Sequence, residues 1–308
     1  MMNRFKLTGL LPAVFSPMHS DGSLWLEQIP PLTEALIREG SHGFYICGST
    51  GEGPCLSREE RMDIAQAYIS AAQGRIPMIV QVGHQSIAEA QKLAEHARDK
   101  KADAISAIPP NYFKPSSLDN LIDSLAEIAK VAPELPFYYY HIPAVTGVAV
   151  EVLELLEKAA ERIPNFVGAK FSHSAIYEVQ ACLNAQSSRF NMLFGSDEML
   201  LSALVVGVHG AVGSTYNFAG PLYQKIIKAV VQNDFGTAKH FQAKAVEMVR
   251  VLVKHGGNPA IKAMMSLIGL DCGGTRLPQA ALNPSQIAAL KHDMNAIGFF
   301  EWGRQLDS

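Results

Sequence analysis

The feature that most constrains the fold is a regular alternation of short apolar or β-branched runs with stretches of helical apolar spacing. Eight such units follow one another along most of the 308 residues. The predicted strands are Gly9–Phe15, Gly43–Cys47, Met78–Val82, Ala104–Ile108, Phe137–Tyr140, Val167–Phe171, Asn191–Phe194 and Gly210–Gly213. The predicted helices are Leu26–Glu39, Arg58–Ala72, Ile87–Lys100, Leu118–Val131, Val150–Arg162, Ala175–Gln186, Glu198–Val206 and Pro221–Gln232.

Strand–turn–helix units repeated in this way imply parallel strands joined by right-handed crossovers. Ser57 and Ser117 mark helix starts, and Gly40, Gly74 and Gly207 mark helix ends. Because no low-complexity linker interrupts the eight units, the sequence predicts a closed α/β TIM (β/α)8 barrel. An open doubly wound sheet is the alternative.

The segment after the eighth unit has helical spacing only. Its predicted helices are Phe235–His255, Pro259–Ile268 and Pro284–Ile297. We therefore expect residues 1–233 to form the barrel and residues 234–308 to form a C-terminal helical extension packed on it, the two making a single structural unit.

Charge and composition exclude some classes of partner. The chain has 26 basic and 29 acidic residues, and no basic stripe of the kind that neutralises nucleic-acid phosphates. The first residues, MMNRFKLTGLLPAVFSPM, contain prolines and lack the apolar region of a signal peptide. No run approaches the roughly 20 apolar residues that span a bilayer. We expect a cytoplasmic protein that binds neither nucleic acid nor membrane.

The cysteines and histidines show no ligand pattern. Cys47, Cys55, Cys182 and Cys272 form no C-x-x-C motif, so we expect reduced, buried thiols. The histidines have no carboxylates at metal-ligand spacing, and His84, His141, His173 and His209 are expected in four separate loops. The pairs Gly256-Gly257 and Gly273-Gly274 lack the strand–turn–helix context of a nucleotide site. We expect neither a metal nor another cofactor.

Candidate catalytic residues lie where predicted strands end, because barrel enzymes place their chemistry at the C-terminal ends of the strands. Lys170 interrupts an apolar strand. Such a lysine either extends to solvent or is buried, where desolvation disfavours the ammonium form and favours an amine able to attack a ketone. Tyr140 ends the preceding strand and would be its neighbour in a barrel, with a phenol able to relay protons. Tyr138 and Tyr139 are expected to be core residues.

The turn Gly48-Ser49-Thr50-Gly51 offers backbone N–H groups and two hydroxyls, a possible cradle for a carboxylate. It is followed by Glu52, and Ser172 ends the strand that carries Lys170. Taken alone, Gly-Ser-Thr-Gly is ordinary turn chemistry. Its importance depends on the segments that accompany it.

Three segments together resemble the superfamily of dihydrodipicolinate synthase and N-acetylneuraminate lyase. They are Gly48–Glu52, the Tyr-x-Ile-Pro segment at Tyr140–Pro143, and Gly168-Ala169-Lys170, in the order and spacing of that superfamily. The resemblance covers nearly the whole chain. It implies a lyase in which Lys170 forms an imine with pyruvate, Tyr140 shuttles the proton, Ser49 and Thr50 hold the substrate carboxylate and Ser172 contributes to binding.

Two further segments resemble the lyase branch. They are Gly195-Ser196-Asp197-Glu198 and Gly213-Ser214-Thr215-Tyr216-Asn217. The resemblance implies that Gly195, Asp197, Glu198 and Ser214 bind the hydroxylated tail of a sugar. The carboxylates at 197 and 198 also suit the start of a helix, where the dipole favours negative charge. The expected reaction is reversible cleavage of N-acetylneuraminate to N-acetylmannosamine and pyruvate.

The synthase branch is similar but carries an arginine shortly after the Tyr-x-x-Pro segment. This chain has Ala144-Val145-Thr146-Gly147 there, and it also departs from common family residues at His141 and Ser196. The alternatives are another pyruvate-dependent aldolase or dehydratase of the superfamily, and a non-catalytic sensor of sialic acid or pyruvate. The segment Pro109–Pro115 resembles a family loop that places an aromatic residue, here Tyr112, near a subunit contact, and the resemblance implies a homotetramer built as a dimer of dimers.

Overall fold

The computed structural model describes residues 5–185 and 189–303. Within them, the strands are β1 (Gly9–Pro12), β2 (Phe44–Ile46), β3 (Met78–Gln81), β4 (Ala104–Ala107), β5 (Phe137–His141), β6 (Phe166–Phe171), β7 (Asn191–Phe194) and β8 (Gly210–Gly213). All neighbours are parallel, in the order β1-β8-β7-β6-β5-β4-β3-β2. A parallel bridge between Ala13 and Tyr45 joins β1 to β2, and the Val14 amide donates to the Tyr45 carbonyl at 3.1 Å. The sheet is therefore a barrel, as predicted, and not an open doubly wound sheet.

Helices surround this sheet and continue beyond it. They are α1 (Ile29–Arg38), α2 (Arg58–Ala72), α3 (Ile87–Asp99), α4 (Leu118–Ala129), α5 (Pro143–Thr146), α6 (Val152–Arg162), α7 (Ile176–Asn184), α8 (Leu200–Val205), α9 (Tyr216–Val231), α10 (Phe235–Lys254), α11 (Asn258–Leu267), α12 (Pro284–Ala296) and α13 (Phe299–Trp302). Short 3-10 turns lie at Leu26–Gln28, Gly53–Cys55 and Asp197–Met199.

The predicted helix signals act as expected. The Ser57 hydroxyl accepts from the Glu60 amide while the Glu60 carboxylate accepts from the Ser57 amide, a complete capping box. The Ser117 hydroxyl caps α4 in the same way by accepting from the Asn120 amide. Gly40, Gly74 and Gly207 have φ of 81°, 71° and 94°, the left-handed conformation that ends a helix.

The largest differences from prediction involve proline. The first helical stretch begins as a 3-10 turn, and α1 proper starts at Ile29, with two prolines in its first turn where no N–H is needed. Helix α9 starts at Tyr216 instead of Pro221 and is bent at Ala219, with φ −130°. Pro221 has no N–H for the ladder, which accounts for the bend. Helix α7 ends at Asn184, and Gln186 of the predicted helix lies outside the described residues.

Three clusters of apolar side chains hold the structure together, and the largest packs the strands against the surrounding helices, with Val80 and Leu125 among its residues. Alternate strand residues fill the barrel itself, among them Leu11, Ile79 and Leu193. The C-terminal helices share a separate core with the barrel: Met264 packs in one cluster with Leu10 of β1. The predicted boundary at residue 233 falls in the short link between α9 and α10. This shared core supports our proposal that barrel and extension form a single unit.

The four cysteines are free thiols. Three of them, Cys47, Cys182 and Cys272, are buried as predicted. The prediction was wrong for Cys55, which is half-buried because it ends the 3-10 turn just outside the barrel. In the part of the chain that the structure describes, no helix combines the length and apolar character needed to cross a bilayer.

Candidate active site

Lys170 lies inside the barrel. It is the fifth residue of β6 and is paired with Tyr140 of β5. Only 4% of the residue is exposed, and its Nζ lies 4.0 Å from the ring centres of both Tyr45 and Tyr140. Two aromatic faces therefore flank the nitrogen and keep it away from bulk water. The alternative of a lysine that extends to solvent is wrong.

Tyr140 shares this pocket. Burial acts to raise the pKa of its phenol, but the Lys170 charge and the polar contacts with Ser49 and Lys170 outweigh burial, so the pKa is lower than usual. Ser172 adds to the lowering, although its hydroxyl has no partner of standard hydrogen-bond geometry among the described residues. A phenol with a lowered pKa exchanges protons more readily near neutral pH.

The loop after β2 is a tight turn. The Glu52 amide donates to the Ser49 carbonyl at 3.1 Å and the Gly53 amide to the Gly48 carbonyl at 3.0 Å. A side chain at Gly53 is impossible, since a Cβ would lie 2.0 Å from the Cys47 carbonyl oxygen. The turn holds the Ser49 and Thr50 hydroxyls at the same end of the barrel as Lys170.

A cavity of about 290 Å³ opens at the C-terminal ends of the strands. Lys170 and Tyr140 line it, and so do five of the predicted binding residues: Ser49, Thr50, Ser172, Gly195 and Ser214. Gly195 leaves room for the Ser172 hydroxyl, because a Cβ at this position would lie 2.0 Å from Ser172 Oγ. The structure thus brings together an amine, a phenol, four further hydroxyls from the turns after β2, β6 and β8, and a glycine.

Asp197 and Glu198 are not among the described residues that line this cavity. Asp197 is buried behind its wall: one carboxylate oxygen accepts from the Thr215 amide at 2.9 Å and its hydroxyl at 2.6 Å. Burial raises the pKa of Asp197, and the two Thr215 hydrogen bonds oppose this effect. The other oxygen faces Gly213, where a Cβ would lie 1.9 Å away. Glu198 is exposed in the same 3-10 turn, so sugar binding by either carboxylate stays a prediction.

The loop that carries Tyr112 is held at its base by Gln85, whose side-chain oxygen accepts from the Asn111 and Tyr112 amides at 3.0 Å each. The rings of Tyr112 and Phe113 contact each other edge to face and are 81% and 85% exposed. A pair of large exposed aromatic rings on an anchored loop is typical of a protein contact. The predicted subunit contact at Tyr112 stays a prediction.

His141 was predicted in a loop, and this was wrong: it is the last residue of β5. Its ring is buried, stacks on Phe171 and lies 5.9 Å from the ring of His173. Burial, and then the neighbouring His173, lowers the pKa of His141 to about 4. Because side chains alternate across a strand, His141 faces the helices while Tyr140 faces the barrel interior. Ser196 is half-buried at the start of the 3-10 turn.

Three residues of the site were missed by sequence reasoning. Tyr45 lies in the middle of β2 and supplies a ring face to Lys170. Asn258, the first residue of α11, and Gln279 line the cavity from the C-terminal extension. Alternation along β2 could have placed Tyr45 inside the barrel, but no strand-end signal marks Asn258 or Gln279.

Comparisons with known proteins agree with this geometry. Residues 6–297 match the model of the dihydrodipicolinate synthetase family. The chain is 38% identical over 302 residues to the N-acetylneuraminate lyase of Gallus gallus, covering 96% of this chain and 98% of that protein.

Solved structures resemble the whole chain as well. The N-acetylneuraminate lyase of Aliivibrio salmonicida has a TM-score of 0.93 and 40% identity, covering 96% of this chain and 98% of that one. A catalytic lysine mutant of the Ruminococcus gnavus sialic acid aldolase has a TM-score of 0.92 and 27% identity, covering 99% of this chain and 100% of that one. The chain therefore belongs to the dihydrodipicolinate synthetase family.

Proposed function

We propose that this chain is a Schiff-base-forming lyase that reversibly cleaves N-acetylneuraminate to N-acetylmannosamine and pyruvate. The observation that carries the proposal is the buried amine of Lys170 beside the phenol of Tyr140, with the Ser49 and Thr50 hydroxyls on the same cavity. The curated relative from Gallus gallus and the Aliivibrio salmonicida structure are N-acetylneuraminate lyases, which supports this substrate.

The first half of the proposed reaction builds the electron sink. The neutral Lys170 amine attacks the 2-oxo carbon of the sugar acid, and a proton from the Tyr140 phenol lets water leave and gives a protonated imine. Ser49 and Thr50 bind the adjacent carboxylate and orient the carbonyl toward Nζ. The protonated imine then needs no external cofactor, because it can itself accept an electron pair.

The second half breaks the carbon–carbon bond. Tyr140 takes the proton from the sugar hydroxyl, the hydroxyl-bearing carbon becomes the aldehyde of N-acetylmannosamine, and the bonding electrons move into the imine to give an enamine. Protonation of the enamine and hydrolysis of the imine release pyruvate and restore the Lys170 amine. The reverse sequence forms the same bond from pyruvate and the aldehyde.

A synthase-like reaction is less well supported. The synthase branch carries an arginine for a second carboxylate shortly after the Tyr-x-x-Pro segment. At that place this chain has Ala144–Gly147, and the first three of these residues belong to the short helix α5. None of these four side chains is basic. The site offers hydroxyls and glycine around the tail position, which suits a polyhydroxylated ligand better than a second carboxylate.

The test is a paired measurement on the purified protein. Incubation with pyruvate and borohydride should reduce the imine and shift the mass of the peptide that contains Lys170. In parallel, N-acetylneuraminate should be consumed with release of equal amounts of N-acetylmannosamine and pyruvate, while shorter 2-oxo acids from a panel should react poorly. Labelling on another lysine would overturn the nucleophile, and cleavage of a shorter acid alone would overturn the substrate.

We also propose a homotetramer, a dimer of dimers, in which the Tyr112 loop contacts a second copy of the chain. The exposed rings of Tyr112 and Phe113 support such a contact. A cytoplasmic location is part of the proposal, supported by four cysteines that are all free thiols.

A further inference from the structure

Two amide side chains from the C-terminal extension reach the cavity at the barrel mouth. Asn258 begins α11 and Gln279 lies in the segment between α11 and α12, yet both line the same cavity as Lys170. The other residues of that cavity lie on strands of the barrel or in the turns that directly follow them. The extension therefore contributes a part of the site that the barrel does not supply.

The two amides are joined in one arrangement. Asn258 Nδ2 donates to Gln279 Oε1 at 3.0 Å, and the backbone around Gln279 is held by its amide, which donates to the Arg276 carbonyl at 3.0 Å. Arg276 is in turn fixed to the loop after β2, since its amide donates to Glu52 at 2.8 Å. The pair is thus anchored to the same loop that presents Ser49 and Thr50.

This arrangement leaves one acceptor and one donor unused. Among the described residues, Asn258 Oδ1 receives no hydrogen bond and Gln279 Nε2 donates none, and both side chains are half-buried at the cavity. An acetamido group has the complementary pair, one N–H donor and one C=O acceptor. A hydroxyl in the same place would have to donate and accept at a single oxygen, whereas the acetamido group carries its donor and its acceptor on separate atoms.

The two ends of the substrate already have predicted contacts in this cavity. Strand ends and their turns provide the groups for the 2-oxo acid end, and Ser214, which follows β8, is the predicted contact for the hydroxylated tail. The amide pair comes from the extension and lines the same cavity as the groups for both of these parts. We propose that Asn258 and Gln279 are specificity-determining residues that hydrogen-bond the acetamido group of the substrate, an inference that rests on the proposed function.

The test compares two substrates that differ at one carbon: N-acetylneuraminate and its analogue with a hydroxyl in place of the acetamido group. The quantity is the ratio of their kcat/KM values in the wild-type protein, Gln279→Met and Asn258→Leu. Loss of one hydrogen bond to the acetamido group should lower this ratio by roughly tenfold in each variant, because the single oxygen of the hydroxyl analogue cannot occupy the positions of both the amide N–H and the amide carbonyl. Ser214→Ala is the matched control, because both substrates share the tail and its ratio should stay at the wild-type value.

Labelling of Lys170 by pyruvate and borohydride reports on folding and on the covalent site in every variant. An unchanged ratio in labelled Gln279→Met and Asn258→Leu would overturn the assignment, and so would equal losses on both substrates, since the pair would then contact a shared group. If the wild-type protein is labelled by pyruvate but does not cleave N-acetylneuraminate, the proposed function fails and this inference fails with it.

Discussion

Tyr140 and Lys170 are paired residues of adjacent parallel strands, and Lys170 Nζ lies 4.0 Å from the centre of the Tyr140 ring. The hydrogen bonds of the sheet therefore fix the spacing of the phenol and the amine, and no loop has to close to bring them together. Groups held on strands keep their geometry better than groups held on loops. This rigidity suits a reaction in which a proton is transferred and a carbon–carbon bond breaks at neighbouring atoms.

Replacing Lys170 removes the only group proposed to form a covalent bond. Lys170→Ala and Lys170→Arg should both abolish cleavage and borohydride labelling with pyruvate, because neither side chain offers an amine that can form the imine. Steady-state assays and peptide mass spectrometry measure the two losses. Circular dichroism should show a folded chain, and labelling that persists on either variant would rule out Lys170 as the nucleophile.

Tyr140→Phe keeps the ring that packs on Lys170 and removes only the hydroxyl. We expect kcat to fall by roughly 10²- to 10⁴-fold, the usual loss for a general acid–base group. Tyr138→Phe is a matched control, because the Tyr138 hydroxyl bonds to Asn191 at 2.7 Å in the barrel core and is not part of the cavity. A kcat near the wild-type value in Tyr140→Phe would contradict the proton relay.

The fold and the strand-end residues were predictable because both follow from local patterns. Strands that alternate with helices along a chain can form only a few parallel architectures. The structure confirms the barrel among them. Lys170, Tyr140 and Ser49 could be found because each interrupts or ends an apolar run. The family and the lyase relatives agree with what these segments resemble.

The rest of the site depends on contacts that no local pattern reveals. Asn258 and Gln279 reach the cavity only because the extension docks on the loop after β2, through residues such as Lys262 and Glu52 that are 210 positions apart. No local pattern predicts that the Asp197 carboxylate accepts from Thr215, 18 positions away, and sugar binding by Asp197 stays a prediction. The spacing of residues along the chain predicts which strand end carries a side chain. It does not predict which distant residue that side chain contacts.

His141 should make the protein less stable in acid. Its pKa is about 4 in the fold against an ordinary 6.5, so below pH 6.5 the unfolded chain takes up a proton that the folded chain does not. The contribution of His141 to the free energy of unfolding is fully present above pH 6.5 and is lost as the pH falls from 6.5 toward 4. Between pH 7.5 and pH 5 this histidine should account for a loss on the order of 2 kcal/mol.

Urea unfolding at pH 7.5 and pH 5 measures this effect. His141→Phe should lose less free energy of unfolding between the two pH values than the wild-type protein, because it has no buried imidazole to protonate on unfolding. His292→Phe, at an exposed position of α12, controls for the loss of one histidine and should behave like the wild type. Parallel pH dependence in His141→Phe and the wild type would contradict the prediction.

Lys262 and Glu52 form a buried ion pair that joins α11 to the loop after β2. Their charged atoms are 2.7 Å apart, and the side chains are 1% and 0% exposed. Lys262→Met would leave the Glu52 carboxylate buried without its cation, a change that costs about 3–5 kcal/mol. The double variant Glu52→Gln with Lys262→Met should recover part of this loss, since it also removes the buried charge.

Lys254→Met is the control for that prediction. Lys254 also pairs with a carboxylate at 2.7 Å, that of Asp293, but its side chain is 69% exposed, so the loss should stay below about 1 kcal/mol. Thermal and urea unfolding of the four proteins provide the comparison. Equal destabilisation by Lys262→Met and Lys254→Met would show that burial adds nothing to the pair.

Variants of Ser214 and Asp197 should distinguish a residue that binds the sugar tail from one that stabilises the fold. Ser214 lines the cavity, so Ser214→Ala should lower kcat/KM for N-acetylneuraminate by roughly tenfold, the value of one lost hydrogen bond, with little change in stability. Asp197 instead holds the Thr215 amide and hydroxyl in the buried wall, so Asp197→Ala should lower the free energy of unfolding by more than about 1 kcal/mol.

Both variants are to be measured beside Glu198→Ala by steady-state cleavage, by urea unfolding and by pyruvate labelling. If Glu198 reaches the sugar, Glu198→Ala should lower kcat/KM while labelling at Lys170 persists, since the imine does not depend on the tail. Normal cleavage by both Ser214→Ala and Glu198→Ala would show that neither side chain binds the hydroxylated tail.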